Sequence, residues 1–154
     1  MYLLMHKCMD CIYRHQSPTK HYHADAFAVR CFDDRFRAVF FGFMGEQCPN
    51  AFDFESVAGG AKVLTSPEYE SDREFILREL EKSITLHKTK RVMLFTHYDC
   101  GAYGGFARFE KNEEKQFAFH QEELRKGAGV VRARFPDLTV ETYFIDMQGV
   151  VKVA

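Results

Sequence analysis

The sequence predicts an α/β fold: a mostly parallel central sheet flanked by helices. Three observations carry this. Short apolar runs of strand length alternate with longer segments in which apolar residues recur at helical spacing. The clearest run, Val92-Met93-Leu94-Phe95, is apolar at every position, as a strand covered on both faces requires. Strand and helix signals also follow one another in turn, the pattern of a parallel sheet wound with crossover helices.

Taken in order, Ala26 to Phe32 reads as a short buried strand ending at Cys31 and Phe32. From Arg35 to Glu46, Phe36, Val39, Phe40, Phe43 and Met44 mark one helix face. A second strand is expected near Phe54 to Ala58, broken by Gly59-Gly60, which reads as a turn because no Lys-Ser/Thr follows to make it a phosphate loop. Ser71-Asp72-Arg73-Glu74 has the form of a capping box. It opens a helix whose apolar face carries Phe75, Ile76, Leu80, Ile84 and His87. Arg91 to Thr96 is the central strand. A long helix runs from about Glu113 to Arg134 and is stopped by Pro136, because proline cannot continue the helical hydrogen-bond ladder. Thr139 to Ile145 is a last core strand, and after Gly149 the tail Val150 to Val153 is able to turn back as an edge strand. Residues 1–154 are expected to form a single domain, with 1–24 as an N-terminal arm.

Composition narrows the function. The 154 residues are 46% hydrophobic and 28% charged, enough apolar material for a core. The net charge is -1 with no block of like charge, which argues against nucleic acid or an anionic membrane surface as partner. No apolar run reaches the roughly 18 residues of a membrane span. The Met1 to Met5 start is too short for a signal h-region and has no basic residues before it. A cytoplasmic location is therefore expected. Thiols stay reduced there, and an odd count of five Cys argues against a disulfide framework. The 16 Phe residues are spread along the chain and read as core or interface filling.

Ligands of parallel sheets bind beyond the carboxyl ends of the strands. Two of those ends carry reactive residues. Cys31 ends the first strand and is followed by Asp33 and Arg35; His97 and Cys100 end the strand Arg91 to Thr96. If the two strands are neighbours, two thiolates and an imidazole face one another. Three protein ligands with a fourth position open is the pattern of catalytic zinc, and soft thiolates favour zinc over magnesium or calcium. The turn Gly101-Ala102-Tyr103-Gly104-Gly105 allows close backbone approach and could begin a helix whose N–H groups face an anion.

The Cys31-x-Asp33-x-Arg35 triplet and the His97-x-x-Cys100-Gly101 element resemble the two defining motifs of β-class carbonic anhydrases, in the same order. Ser56-Val57-Ala58-Gly59-Gly60 is similar to the segment between them. The fuller strings around Cys31 and His97 are most similar to a divergent branch of that family, the putative carbonic anhydrases. The resemblance covers roughly residues 25 to 146. It implies a zinc lyase that hydrates carbon dioxide to bicarbonate through zinc-bound hydroxide. It also implies Cys31, His97 and Cys100 as metal ligands, Asp33 as the group that orients the hydroxide or gates the metal, and Arg35 as its partner. A homodimer or multiple of dimers is expected with it. The arm of about 24 residues is shorter than the helical arm usual in the family, and the glutamine of plant-type members has no match.

Plainer readings stand beside these. Cys31 alone is a core cysteine, and Asp33–Arg35 alone is a structural ion pair. Asp34 and Asp99 read as solvated acids. His6, Cys8, Cys11, His15, His21 and His23 form a second constellation, either a Cys-x-x-Cys metal or redox site or an irregular covering arm. Tyr22, Phe27, Phe117, Phe119 and Tyr143 suit an interface or the core equally. Two function classes remain: an enzyme acting on carbon dioxide, carbonyl sulfide or carbon disulfide, and a zinc-stabilised scaffold or sensor.

Overall fold

Every residue of β1 (Ala26–Arg30) is buried, so this strand lies between two covering layers. The computed structural model describes residues 11–153. After β1 come α1 (Arg37–Gln47), β2 (Phe52–Ser56), α2 (Lys62–Thr65), α3 (Glu70–His87), β3 (Arg91–His97), α4 (Glu113–Arg134), β4 (Thr139–Ile145) and β5 (Val150–Val153). They build one five-stranded sheet in the order β2-β1-β3-β4-β5. The first four strands are parallel, and β5 returns antiparallel along β4, as the tail sequence suggested.

Topology divides the core in two. The step from β1 to β2 crosses the sheet in one direction; the steps from β2 to β3 and from β3 to β4 go the other way. Right-handed crossovers therefore put their helices on opposite faces. On one face Phe40 and Met44 of α1 pack on Ala26, Ala28, Met93, Phe95 and Tyr143. On the other, Ile76, Leu77, Leu80, Leu124 and Val131 of α3 and α4 pack on Phe27, Val29, Val92 and Leu94. Each fully buried Val, Leu, Ile, Phe or Met side chain among them contributes about 1.5–3 kcal/mol.

The expected elements differ from the observed ones in a few places. The first strand stops at Arg30, because the chain bends there: the Arg30 guanidinium takes the carbonyls of Cys31 (2.5 Å) and Asp33 (3.0 Å) out of the ladder. The capping box is shifted. Asp72, not Glu74, turns back to accept the Tyr69 N–H at 3.2 Å, so Ser71 lies inside α3. Phe75 faces solvent, 42% exposed, and Leu77 is buried in its place. The segment after Cys100 makes only a 3-10 turn over Gly101–Tyr103, too short to act as an anion-binding helix end. The four-residue α2 is an element that periodicity did not reveal, since it is barely one helical turn long. Phe27 and Tyr143 belong to the core, whereas Tyr22 is exposed.

Candidate metal centre

In the order β2-β1-β3, successive strands leave β1 in opposite directions. Adjacent crossover connections diverge at such a point and open a crevice at the carboxyl ends. Strands β1 and β3 are hydrogen-bonded neighbours there. Cys31 follows the last residue of β1, His97 is the last of β3, and Cys100 lies three residues further on. The condition posed by the sequence is met. One ligand atom from each of Cys31, His97 and Cys100 lies within 4.8 Å of the others, and all three residues are buried.

Each donor is held in place. The His97 Nδ1 is 2.8 Å from the Tyr98 carbonyl oxygen. A carbonyl can only accept, so Nδ1 carries the proton and Nε2 presents its lone pair. That Nε2 is buried with no hydrogen-bond partner, which suits a metal ligand. The Gly59 N–H donates to the Cys31 sulfur at 3.3 Å. The Gly59-Gly60 turn delivers it, with φ of 79° and 57°. A Cβ at Gly60 would lie 2.3 Å from the Phe95 carbonyl oxygen and 2.9 Å from the Cys31 nitrogen, so only glycine lets this turn press against the site. Beneath, Arg30 is 5% exposed, stacks 4.9 Å above the Phe40 ring and clamps the Cys31–Asp33 bend.

The two sulfurs share protons unequally. A hydrogen bond from Cys100 pulls the Cys31 thiol down from its ordinary value; burial opposes this, while the N–H groups of Asp33 and Gly59 assist it. As the donor, and a buried one, Cys100 is pushed well above the ordinary thiol value. Both cysteines would bind a metal as thiolates, so metal binding there releases protons.

Asp33 lies at the rim, one carboxylate oxygen 4.0 Å from His97 Nε2. It accepts from the Arg35 backbone N–H (3.0 Å), from Nε and from Nη2 (2.7 Å). The Arg35 hydrogen bonds hold its carboxyl down at about 2 against partial burial. Arg35 also reaches across the crevice, its Nη1 to the Asp99 carboxylate at 3.0 Å and its Nη2 to the Asp99 carbonyl at 3.1 Å. Asp99, its side chain 38% exposed, is solvated as expected but also tied to the site: it sits at φ 53°, and its other oxygen takes the Phe106 N–H at 2.8 Å. Its sequence signal was no more than adjacency to Cys100. Asp34 remains at the surface, paired loosely with Arg37.

The arrangement can bind one metal through two sulfurs and a nitrogen, beside an ionised carboxylate and between aromatic walls. The Phe36 ring lies 4.6 Å from that of His97, tilted by 40°, and Tyr103 and Phe119 pack against the cysteines. The N-terminal constellation forms no comparable group among the described residues. His6 and Cys8 lie outside them, Cys11 is partly exposed, and His15, His21 and His23 are exposed.

The fold is shared with solved enzymes. A carbonic anhydrase from Streptococcus mutans is 17% identical, with 91% of this chain and 89% of that one covered and a TM-score of 0.63. A carbon disulfide hydrolase is 16% identical, with 86% and 80% covered and a TM-score of 0.55. An uncharacterized protein from Rickettsia bellii is 29% identical over 103 residues, 66% of this chain. The chain spans less than two thirds of the length of the curated relatives it matches, 63% of this one. A family described as "Putative carbonic anhydrase" matches residues 23–154, which include both motifs and all of the sheet. The chain belongs to this putative carbonic anhydrase family.

Proposed function

We propose that Cys31, His97 and Cys100 hold a zinc ion and that the protein catalyses the reversible hydration of carbon dioxide to bicarbonate in the cytoplasm. The observation that carries this reading is the convergence of three buried soft donors beside an ionised carboxylate 4.0 Å from the unpartnered His97 nitrogen. A purely structural metal has no use for such a carboxylate; structural zinc takes a fourth permanent protein ligand instead. Zinc bound there lowers the pKa of water to about 7 and so supplies a nucleophile at neutral pH.

The chain's own residues do the rest. Asp33, ionised at any pH above about 2, acts as a hydrogen-bond acceptor and orients the nucleophile through its proton. Arg35 fixes that carboxylate with three side-chain contacts. Phe36, Tyr103 and Phe119 supply an apolar wall, which suits a small substrate without hydrogen-bonding groups. Carbonyl sulfide and carbon disulfide share that property.

Stopped-flow hydration of carbon dioxide by zinc-loaded protein tests the proposal. The expected rate exceeds that of free zinc in buffer and depends on Asp33. A rate equal to free zinc at every accessible pH defeats it, and turnover of carbonyl sulfide or carbon disulfide then separates a hydrolase from a scaffold. We further propose a homodimer, supported by Phe32, Phe41 and Phe54, which are 64%, 39% and 42% exposed. A monomer by light scattering at micromolar concentration would remove that part.

A further inference from the structure

Seven buried side-chain polar atoms among the described residues lack a hydrogen-bond partner, and all belong to the end of β3, the turn after it and the first half of α4. Two are set apart. His97 Nε2 is a candidate metal donor, and the Tyr103 hydroxyl lies toward Thr65 and Glu123 without a hydrogen bond to either. Seven less these two leaves five: the Thr96 hydroxyl, both amide atoms of Gln116 and both ring nitrogens of His120.

These groups share one place. Gln116 and His120 stand one turn apart on the buried face of α4, each 0% exposed. Thr96 pairs with Phe144 in the sheet, and the His120 ring lies 5.1 Å from Phe144 and 4.9 Å from Tyr103. Further along α4 the buried face becomes apolar at Leu124, Ala128 and Val131. The polar residues therefore occupy only the half that lies over the carboxyl ends of the strands. Buried polar atoms are almost always paired, and leaving five empty would rival the net stability of a whole domain.

The occupant must both donate and accept, because an amide and a neutral imidazole each offer both. Burial keeps the His120 ring neutral, pushed down to about 3. The nearby charges are committed elsewhere. Glu123 takes the Thr65 hydroxyl and lies beside Lys126, and Arg108 binds the Tyr103 carbonyl. A small uncharged molecule with donors and acceptors is water.

We propose that Thr96, Gln116 and His120 enclose an internal water site at the shoulder of the metal centre. A cleft of about 430 Å³ lined by Tyr98, Glu113, Gln116, Phe117, Phe144 and Asp146 gives water its approach. The site's role in turnover, replacing the water that each hydration consumes, rests on the proposed function; its occupancy does not.

The test is a high-resolution crystal structure of the zinc-loaded protein, with oxygen-17 relaxation dispersion to count long-lived water in solution. Ordered water bonded to the Gln116 amide and to a His120 ring nitrogen is expected. The Gln116→Leu/His120→Phe variant should lose it while keeping zinc; Gln116→Met is the milder alternative should that one not fold. Direct bonds from Gln116 and His120 to protein groups, or a dry site, overturn the inference. A hydrated wild type with no activity toward carbon dioxide sinks the proposed function and leaves the water site standing. Unchanged turnover after the water is lost overturns the supply role.

Discussion

Two histidine–carboxylate clusters sit at opposite ends of the sheet, and they are built differently. At the amino ends, Asp53 of β2 accepts from Tyr22 (2.7 Å), Ser83 (2.6 Å) and His87 (2.7 Å), and Ser83 in turn meets Thr89. At the carboxyl ends, Asp33 stands 4.0 Å from His97, whose Nε2 has no partner. The first cluster is closed: both carboxylate oxygens of Asp53 accept hydrogen bonds, and they tie Tyr22 and the end of α3 to an edge strand. The second is open. The same pair of residue types is therefore a structural tie in one place and part of a candidate metal site in the other, and the difference lies in the unpartnered His97 nitrogen. A buried polar atom without a partner is costly, so its persistence points to a ligand.

The sharpest way to break this comparison is to remove a ligand. Cys100→Ser should lower zinc from about one per chain to near zero after dialysis, because a neutral hydroxyl replaces a thiolate. Full zinc by elemental analysis in that variant would refute the ligand set. Asp33→Asn should keep zinc and fold but lose about 10²-fold or more in carbon dioxide hydration, as expected for one positioned polar group. If Asp33 works instead as a gate that closes on the metal, the loss is smaller near neutral pH and the pH profile changes shape.

Asp99→Asn is a finer probe. It preserves an acceptor for Phe106 yet removes the carboxylate that Arg35 Nη1 binds, leaving the Asp99 carbonyl to Nη2. Activity should fall on the order of 10-fold, the lower range for groups that orient an inner residue. A rate equal to wild type would show that Asp33 and the Asp99 carbonyl fix Arg35 without the Asp99 carboxylate.

Asp53→Asn should leave zinc content and turnover unchanged and lower stability by about 1–3 kcal/mol, read from denaturant unfolding. Burial raises the Asp53 carboxyl, but the hydrogen bonds from Ser83, Tyr22 and His87 outweigh it and the group ends below the ordinary value. A carboxyl lowered by folding stabilises above the unfolded pKa of about 4, and that contribution disappears as pH falls through the lowered value. The stability gap between wild type and Asp53→Asn should therefore be full near neutrality and close in acid. A gap that widens on acidification would contradict the closed-cluster description.

Much was legible in the chain itself. Alternating periodicities gave the element order, and α4 and β4 fall on the predicted limits, Glu113–Arg134 and Thr139–Ile145. The motif chemistry singled out Cys31, Asp33, Arg35, His97 and Cys100. These features are local: a strand of Val, Met, Leu and Phe or a helix stopped before proline is written in adjacent residues. What the chain could not state is which strands lie side by side. That pairing brings Arg35 to Asp99 across 64 positions and the Gly59 N–H to Cys31 across 28. It also decides that Phe75 faces water and that the buried face of α4 turns polar over the site. Side-chain type and spacing fix what a residue can do, whereas the partners that leave one histidine satisfied and another open come from packing between segments far apart in sequence.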